Sequence, residues 1–146
     1  MSDYISLING KFTNQVSVLD RGLSYGDGLF ETMSWCYLDN ENTVGVEFWN
    51  RHLERIRYSC SIMKIKTPSL KILNECKKKI LNKAISNGWN NGVLKVIISR
   101  GVGGRGYKFE KSISPSIIFL CFHGQKSNLR KNIIKVKYCK SPISEN

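Results

Sequence analysis

The sequence predicts an α+β fold, an antiparallel sheet with two helices, and three observations point to it. Apolar runs of strand length stand towards both ends of the chain, and two adjacent stretches between them carry apolar residues at spacings of three and four. The early runs are joined by tight turns, as in hairpins, so their strands run antiparallel.

Taken in order, Tyr4 to Leu7 reads as a strand, Asn9-Gly10 as a tight turn and Phe12 to Leu19 as the returning strand. Asp20 to Gly28 is rich in turn residues. Leu29 to Leu38 is a longer strand, Asp39 to Thr43 a turn, and Val44 to Trp49 the return of a second hairpin. Asn50 is placed to cap a helix in which Leu53, Ile56, Cys60 and Met63 recur at helical spacing. A second helix is expected from Thr67 as cap and Pro68 in the first turn, with Leu70, Leu73, Ile80, Leu81 and Ala84 facing inward until Asn87-Gly88 ends it. Val93 to Ile98, Pro115 to Phe122 and Ile133 to Cys139 complete the strands, and Trp35 and Trp49 are expected in the core. The polar, basic stretch Gly124 to Lys131 reads as a linker, which divides the chain into 1–122 and 123–146.

A chain of 146 residues is long enough to bury a core of its own. No apolar run approaches a membrane span, and the first fifteen residues alternate without a signal-peptide core, so a soluble, cytoplasmic protein is expected. The five cysteines, Cys36, Cys60, Cys76, Cys121 and Cys139, stand singly without a CxxC pair, which argues against a disulfide framework or a metal site. The net charge of +12 raises nucleic-acid binding as a possibility. With 16 lysines against 7 arginines, and the densest cluster at Lys77, Lys78, Lys79 and Lys83 on a helix face, a generic lysine-rich surface fits better.

The most informative segment is Asn91 to Tyr107, NGVLKVIISRGVGGRGY, where a buried-strand pattern runs straight into a glycine-rich loop. Gly101, Gly103, Gly104 and Gly106 would allow positive φ and close approach, while Arg100, Arg105 and Tyr107 supply donors suited to a carboxylate. A solvated hairpin turn explains the same loop equally well.

Three stretches in this order, INGKFTNQVSVLDRGLSYGDGLFETM, NRHLERI and the Asn91–Tyr107 segment, resemble the N-terminal portion of the fold-type IV pyridoxal-phosphate enzymes. That family includes the branched-chain and D-amino acid aminotransferases and aminodeoxychorismate lyase, and the GRGY loop is most similar to that of 4-amino-4-deoxychorismate lyase. The resemblance implies the family's small domain followed by the first strands of a truncated large one. It implies pyridoxal 5'-phosphate as cofactor, with Arg55 of the HxxR element gripping the phosphate and His52 packing or capping. It further implies that Arg105 and Tyr107 bind the substrate carboxylate, that Asp20 and Arg21 fix a turn, and that Arg100 is structural. Phe30 and Glu31 are further candidates for substrate contact, with packing an equal alternative.

The family's Schiff-base lysine lies in a GxKxLNR-like segment that this sequence does not contain. Lys95 stands mid-strand, and Lys137 and Lys140 precede the expected position, so the catalytic lysine is expected beyond Asn146 and the 146-residue chain is expected to be inactive alone. For the complete protein the resemblance implies a homodimer that eliminates pyruvate from aminodeoxychorismate to give 4-aminobenzoate, a folate precursor. An aminotransferase fragment is the nearest rival.

Overall fold

The computed structural model describes residues 3–38, 42–109 and 112–124. Among the described residues, six strands and three helices follow in the order β1 (Tyr4–Ile8), β2 (Lys11–Phe12), α1 (Arg21–Tyr25), β3 (Gly28–Leu38), β4 (Thr43–Val46), α2 (Trp49–Ile62), α3 (Leu70–Ser86), β5 (Asn91–Ser99) and β6 (Ser116–His123). All strands join one antiparallel sheet in the order β2-β1-β6-β5-β3-β4. The predicted α+β class is therefore the observed one. Strand β6 sits between β5 and the N-terminal β1, which it meets over Tyr4–Ile8.

Two long helices cover one face of this sheet. Helix α2 packs on β3, and α3 packs on β6 and β1. Spacings of three and four put Trp49, Leu53, Ile56 and Cys60 of α2 on one stripe, and Leu73, Cys76, Ile80 and Ala84 of α3 on another. These meet Met33, Trp35, Leu94, Val96, Ile98, Phe119 and Cys121, the inward set of the alternating strands, in a single core. Removing most of a buried side chain such as Ile80, which is fully enclosed, costs about 2–5 kcal/mol.

Several expected boundaries move, each for a local reason. The first turn is as predicted: Asn9 and Gly10 both lie at positive φ, as a two-residue hairpin of type I′ requires, and they set Ile8 opposite Lys11. The returning strand, expected from Phe12 to Leu19, stops at Phe12. Beyond it, Thr13 Oγ1 accepts from the amide of Gln15 and Ser17 Oγ from that of Leu19, so local hydroxyl turns replace the ladder. The turn-rich segment after it contains the unforeseen helix α1. Asp20 caps that helix by accepting from the Gly22 amide at 2.8 Å, and Gly26 closes it at φ 65°.

Strand β4 ends at Val46, short of the expected Trp49, because α2 begins there. Its cap is Phe48, at φ 49° and without a side-chain bond, so Asn50 lies inside the first turn instead of capping it. Helix α3 is capped by Ser69, whose Oγ accepts from Ile72, and not by Thr67. Pro68 precedes the helix, and Leu70, expected inside, is exposed. Strand β6 reaches His123, one residue past the expected 122 boundary. The Ile133–Cys139 strand and nearly all of the expected linker lie outside the described residues, as does most of the Asp39–Thr43 turn. Among the described residues, no helix is long and apolar enough to cross a membrane.

Candidate active site

Strand alternation decides what β3 offers to each side. Glu31 shares the helix-facing set with Met33 and Trp35 and is 6% exposed, whereas its neighbour Phe30 points to the other face and is 61% exposed. The two candidates therefore cannot line one wall. Phe30 packs under Lys95, whose Nζ lies 4.3 Å from the ring centroid, and it borders a cavity of about 420 Å³ with Leu23, Leu29, Ile97 and Ile118. That contact gives mid-strand Lys95 a packing role.

Above Glu31, His52 and Arg55 stand three residues apart on one side of α2. Glu31 Oε2 lies 2.6 Å from His52 Nδ1, and Oε1 lies 3.2 Å from Arg55 Nε. An ionised carboxylate only accepts, so Nδ1 carries the proton in this pair. His52 thus braces Glu31. Arg55 is tethered through Nε, while its side chain is 70% exposed, which leaves the outer guanidinium nitrogens accessible to a ligand.

The glycine loop is built at the end of the same strand pair, where Gly28 faces Ser99. Here Asp27 is the centre. Arg100 grips it as a fork, Nε to Oδ2 at 2.7 Å and Nη2 to Oδ1 at 3.0 Å, and Arg21 Nε reaches Oδ2 at 3.0 Å. Burial works against the Asp27 charge, but hydrogen bonds from Arg100 and then Arg21 outweigh it and hold the carboxyl below its ordinary value. Arg100 also donates to the carbonyls of Met63 and Lys64, which ties the end of α2 to the end of β5. Its structural role agrees with expectation, and its donors are not turned to a ligand.

Of the four loop glycines, Gly101 and Gly106 adopt positive φ while Gly103 and Gly104 do not. Gly101 has no substitute: at φ 97° a Cβ would also run into the Ser114 carbonyl. Arg105 and Tyr107 are both exposed on the loop. The structure holds Arg55 through Glu31, and holds the Arg105–Tyr107 loop through α1, so the two predicted groups rest on separate supports. Sequence reasoning left out Asp27, and weighed Tyr25 only as packing or ligand contact. The GDG turn containing Asp27, six residues after Arg21, was the available signal.

Three of the described cysteines, Cys60, Cys76 and Cys121, are enclosed; burial raises their thiols and pushes that of Cys121 up to about 12. Among the described residues, no group of His, Cys, Asp and Glu could hold a metal ion.

Comparison with known families decides the kinship, since residues 28–143 match amino-transferase class IV. The chain belongs to that family. A curated aminodeoxychorismate lyase of Vibrio harveyi is 31% identical over 100 residues, covering 68% of this chain and 33% of the relative. A putative branched-chain-amino-acid aminotransferase of Methanocaldococcus jannaschii is also 31% identical, over 115 residues, covering 75% and 37%. Among solved structures, the 4-amino-4-deoxychorismate lyase of Pseudomonas aeruginosa superimposes with a TM-score of 0.61 at 32% identity, covering 78% of this chain and 38% of that one. A hypothetical aminotransferase of Mycobacterium tuberculosis, solved in a PLP-bound form, gives 0.63 at 20% identity, covering 81% and 39%, and supports the fold alone. The class IV chain thus spans between a third and two fifths of the length of the proteins it matches.

Proposed function

We propose that this class IV chain supplies the phosphate-gripping and carboxylate-facing part of a pyridoxal-phosphate enzyme, and that the enzyme is an aminodeoxychorismate lyase. The observation that carries the proposal is Arg55, locked at Nε by a buried carboxylate and open at its outer nitrogens. A phosphate dianion needs a planar, permanently charged donor held at a fixed angle, and this arrangement meets that need. The donor set fits the phosphate end of the cofactor.

When bound, the cofactor supplies an electron sink for the substrate's reacting carbon. This chain's residues position. Glu31 and His52 fix the angle of Arg55, Arg55 holds the phosphate, and Arg105 and Tyr107 face the substrate carboxylate. No lysine of the chain stands in the family's Schiff-base context, so proton transfer is assigned to residues outside it, and the 146 residues alone are expected to show no turnover. The division at residue 122, the homodimer and the folate precursor 4-aminobenzoate as product belong to the same proposal.

The matches to two lyases at 31–32% identity support the choice of reaction. The archaeal aminotransferase match at 31% favours a second reading, amino transfer to a 2-oxo acid. Assaying a protein that carries this chain together with the rest of a class IV fold separates them. Pyruvate and 4-aminobenzoate released from aminodeoxychorismate support the lyase, and amino transfer without pyruvate release refutes it.

A further inference from the structure

We infer that Arg21 is the positioning residue of the loop that presents Arg105 and Tyr107. The inference rests on the carboxylate-facing reading of that loop. Arg21 is 2% exposed, on a helix of only five residues, and four of its five N–H donors are spoken for. Nε goes to Asp27 at 3.0 Å, Nη1 to the carbonyls of Gly104 at 3.3 Å and Gly106 at 2.9 Å, and Nη2 to the carbonyl of Tyr107 at 3.4 Å. One planar cation thus gathers three carbonyls of the loop from beneath. A ligand would find no free fork on Arg21, so its part is to shape the loop.

The rest of the seat is equally specific. A Cβ on Gly103 would lie 2.9 Å from Arg21 Cδ, so only a bare backbone passes this close to the side-chain stem. Tyr25, one turn along α1, places its ring 4.5 Å from the Arg21 guanidinium, and its hydroxyl accepts from the Gly106 amide at 2.8 Å. The Tyr25 and Tyr107 rings lie 5.9 Å apart. With carbonyls 104, 106 and 107 turned inward, the side chains of Arg105 and Tyr107 are left outward, and Tyr107 is 89% exposed. Lysine cannot do this. A single ammonium offers no planar fork to span Asp27 and three carbonyls at once.

The test is amide hydrogen exchange and NMR relaxation on the 146-residue chain, reading Gly106 against Val96 and Ile98 of β5. In the wild type, the Gly106 amide and the Arg21 Nε–H should be as ordered as β5. In Arg21→Lys, Gly106 exchange should rise by roughly tenfold or more while the β5 amides keep their rates. An unchanged Gly106, or a rise matched by β5, overturns the inference. Should Arg21→Lys fail to fold, the wild-type measurement decides, because a mobile Arg21 Nε–H or Gly106 amide there overturns it without any variant. A second arm titrates succinate, a plain dicarboxylate, against the Arg105 and Tyr107 resonances. Weaker binding in folded Arg21→Lys than in wild type supports positioning, and equal binding overturns it. Absence of succinate binding to the wild type counts against the carboxylate reading alone, and the exchange data still judge Arg21.

Discussion

Asp27 and Glu31 stand four residues apart around the start of β3, and each carboxylate holds two basic side chains, yet one group is closed and the other open. At Asp27 both partners are arginines, 2% and 7% exposed, and their remaining donors run into backbone carbonyls of the protein itself. At Glu31 the partners are a histidine and an arginine that is 70% exposed and bound through one nitrogen. The same pairing of charges therefore does two jobs. Where nearly all donors are satisfied internally, the group joins elements of the fold; where the outer donors are left in solvent, the carboxylate serves as a bracket for a side chain proposed to hold a ligand.

That comparison can be broken at several points, and the largest effect should come from Asp27. Asp27→Ala leaves two buried guanidinium groups without their counter-charge, and it should destabilise the chain by about 3–5 kcal/mol, read as a lowered midpoint in urea. A loss no greater than a surface substitution would show that the closed group is not closed.

Glu31→Gln should cost less, about 1–2 kcal/mol, because His52 and Arg55 can turn to water. It should nonetheless weaken retention of pyridoxal phosphate, since Arg55 loses its brace. Stability changed as much as by Asp27→Ala would erase the distinction between the two groups.

Acid sharpens the contrast further. The Asp27 carboxyl titrates lower in the folded chain than its ordinary value of 3.8, so its contribution is present in full above that value. It disappears as pH falls through the lower, folded value. Urea midpoints from pH 6 down to 2 should show this loss below about 4, and Asp27→Asn should lack that segment of the curve. Parallel curves for the two proteins would count against the paired carboxylate.

The smallest change in stability belongs to Arg55→Ala, within about 0.5 kcal/mol of wild type, as expected of an exposed partner. Its signature lies in binding. Pyridoxal phosphate affinity should fall by about 1.5–3 kcal/mol, while affinity for unphosphorylated pyridoxal stays unchanged. Equal losses for both would remove Arg55 from the phosphate.

The sequence made the sheet and the two long helices legible because both periods are strong: β5 is a β-branched run, and Leu73, Ile80, Leu81 and Ala84 mark one helix face. Segments governed by a single local bond were not legible. Nothing in the pattern of Phe12 to Leu19 says that hydroxyls at 13 and 17 capture the amides two residues on, and nothing separates Ser69 from Thr67 as a cap until the helix direction is known. Candidates for the site could be picked out only one residue at a time. Arg55, Arg105, Tyr107 and Glu31 were named, but the opposite facing of Phe30 and Glu31 and the use of Arg21 as a seat for the loop depend on contacts between distant parts of the chain.

The central place of β6 bears on how the protein is made. Of the described strands β1 is made first, but its long partner is β6, with Tyr4 opposite Phe122 across nearly the whole described chain. Until β6 emerges, β1 has only the two residues of β2 to pair with, and its other edge stays open. Synthesis therefore carries this unpaired edge until β6 is made, and the described sheet closes by bridging the longest separation among its strands. Pairing across so long a separation is expected to be slow.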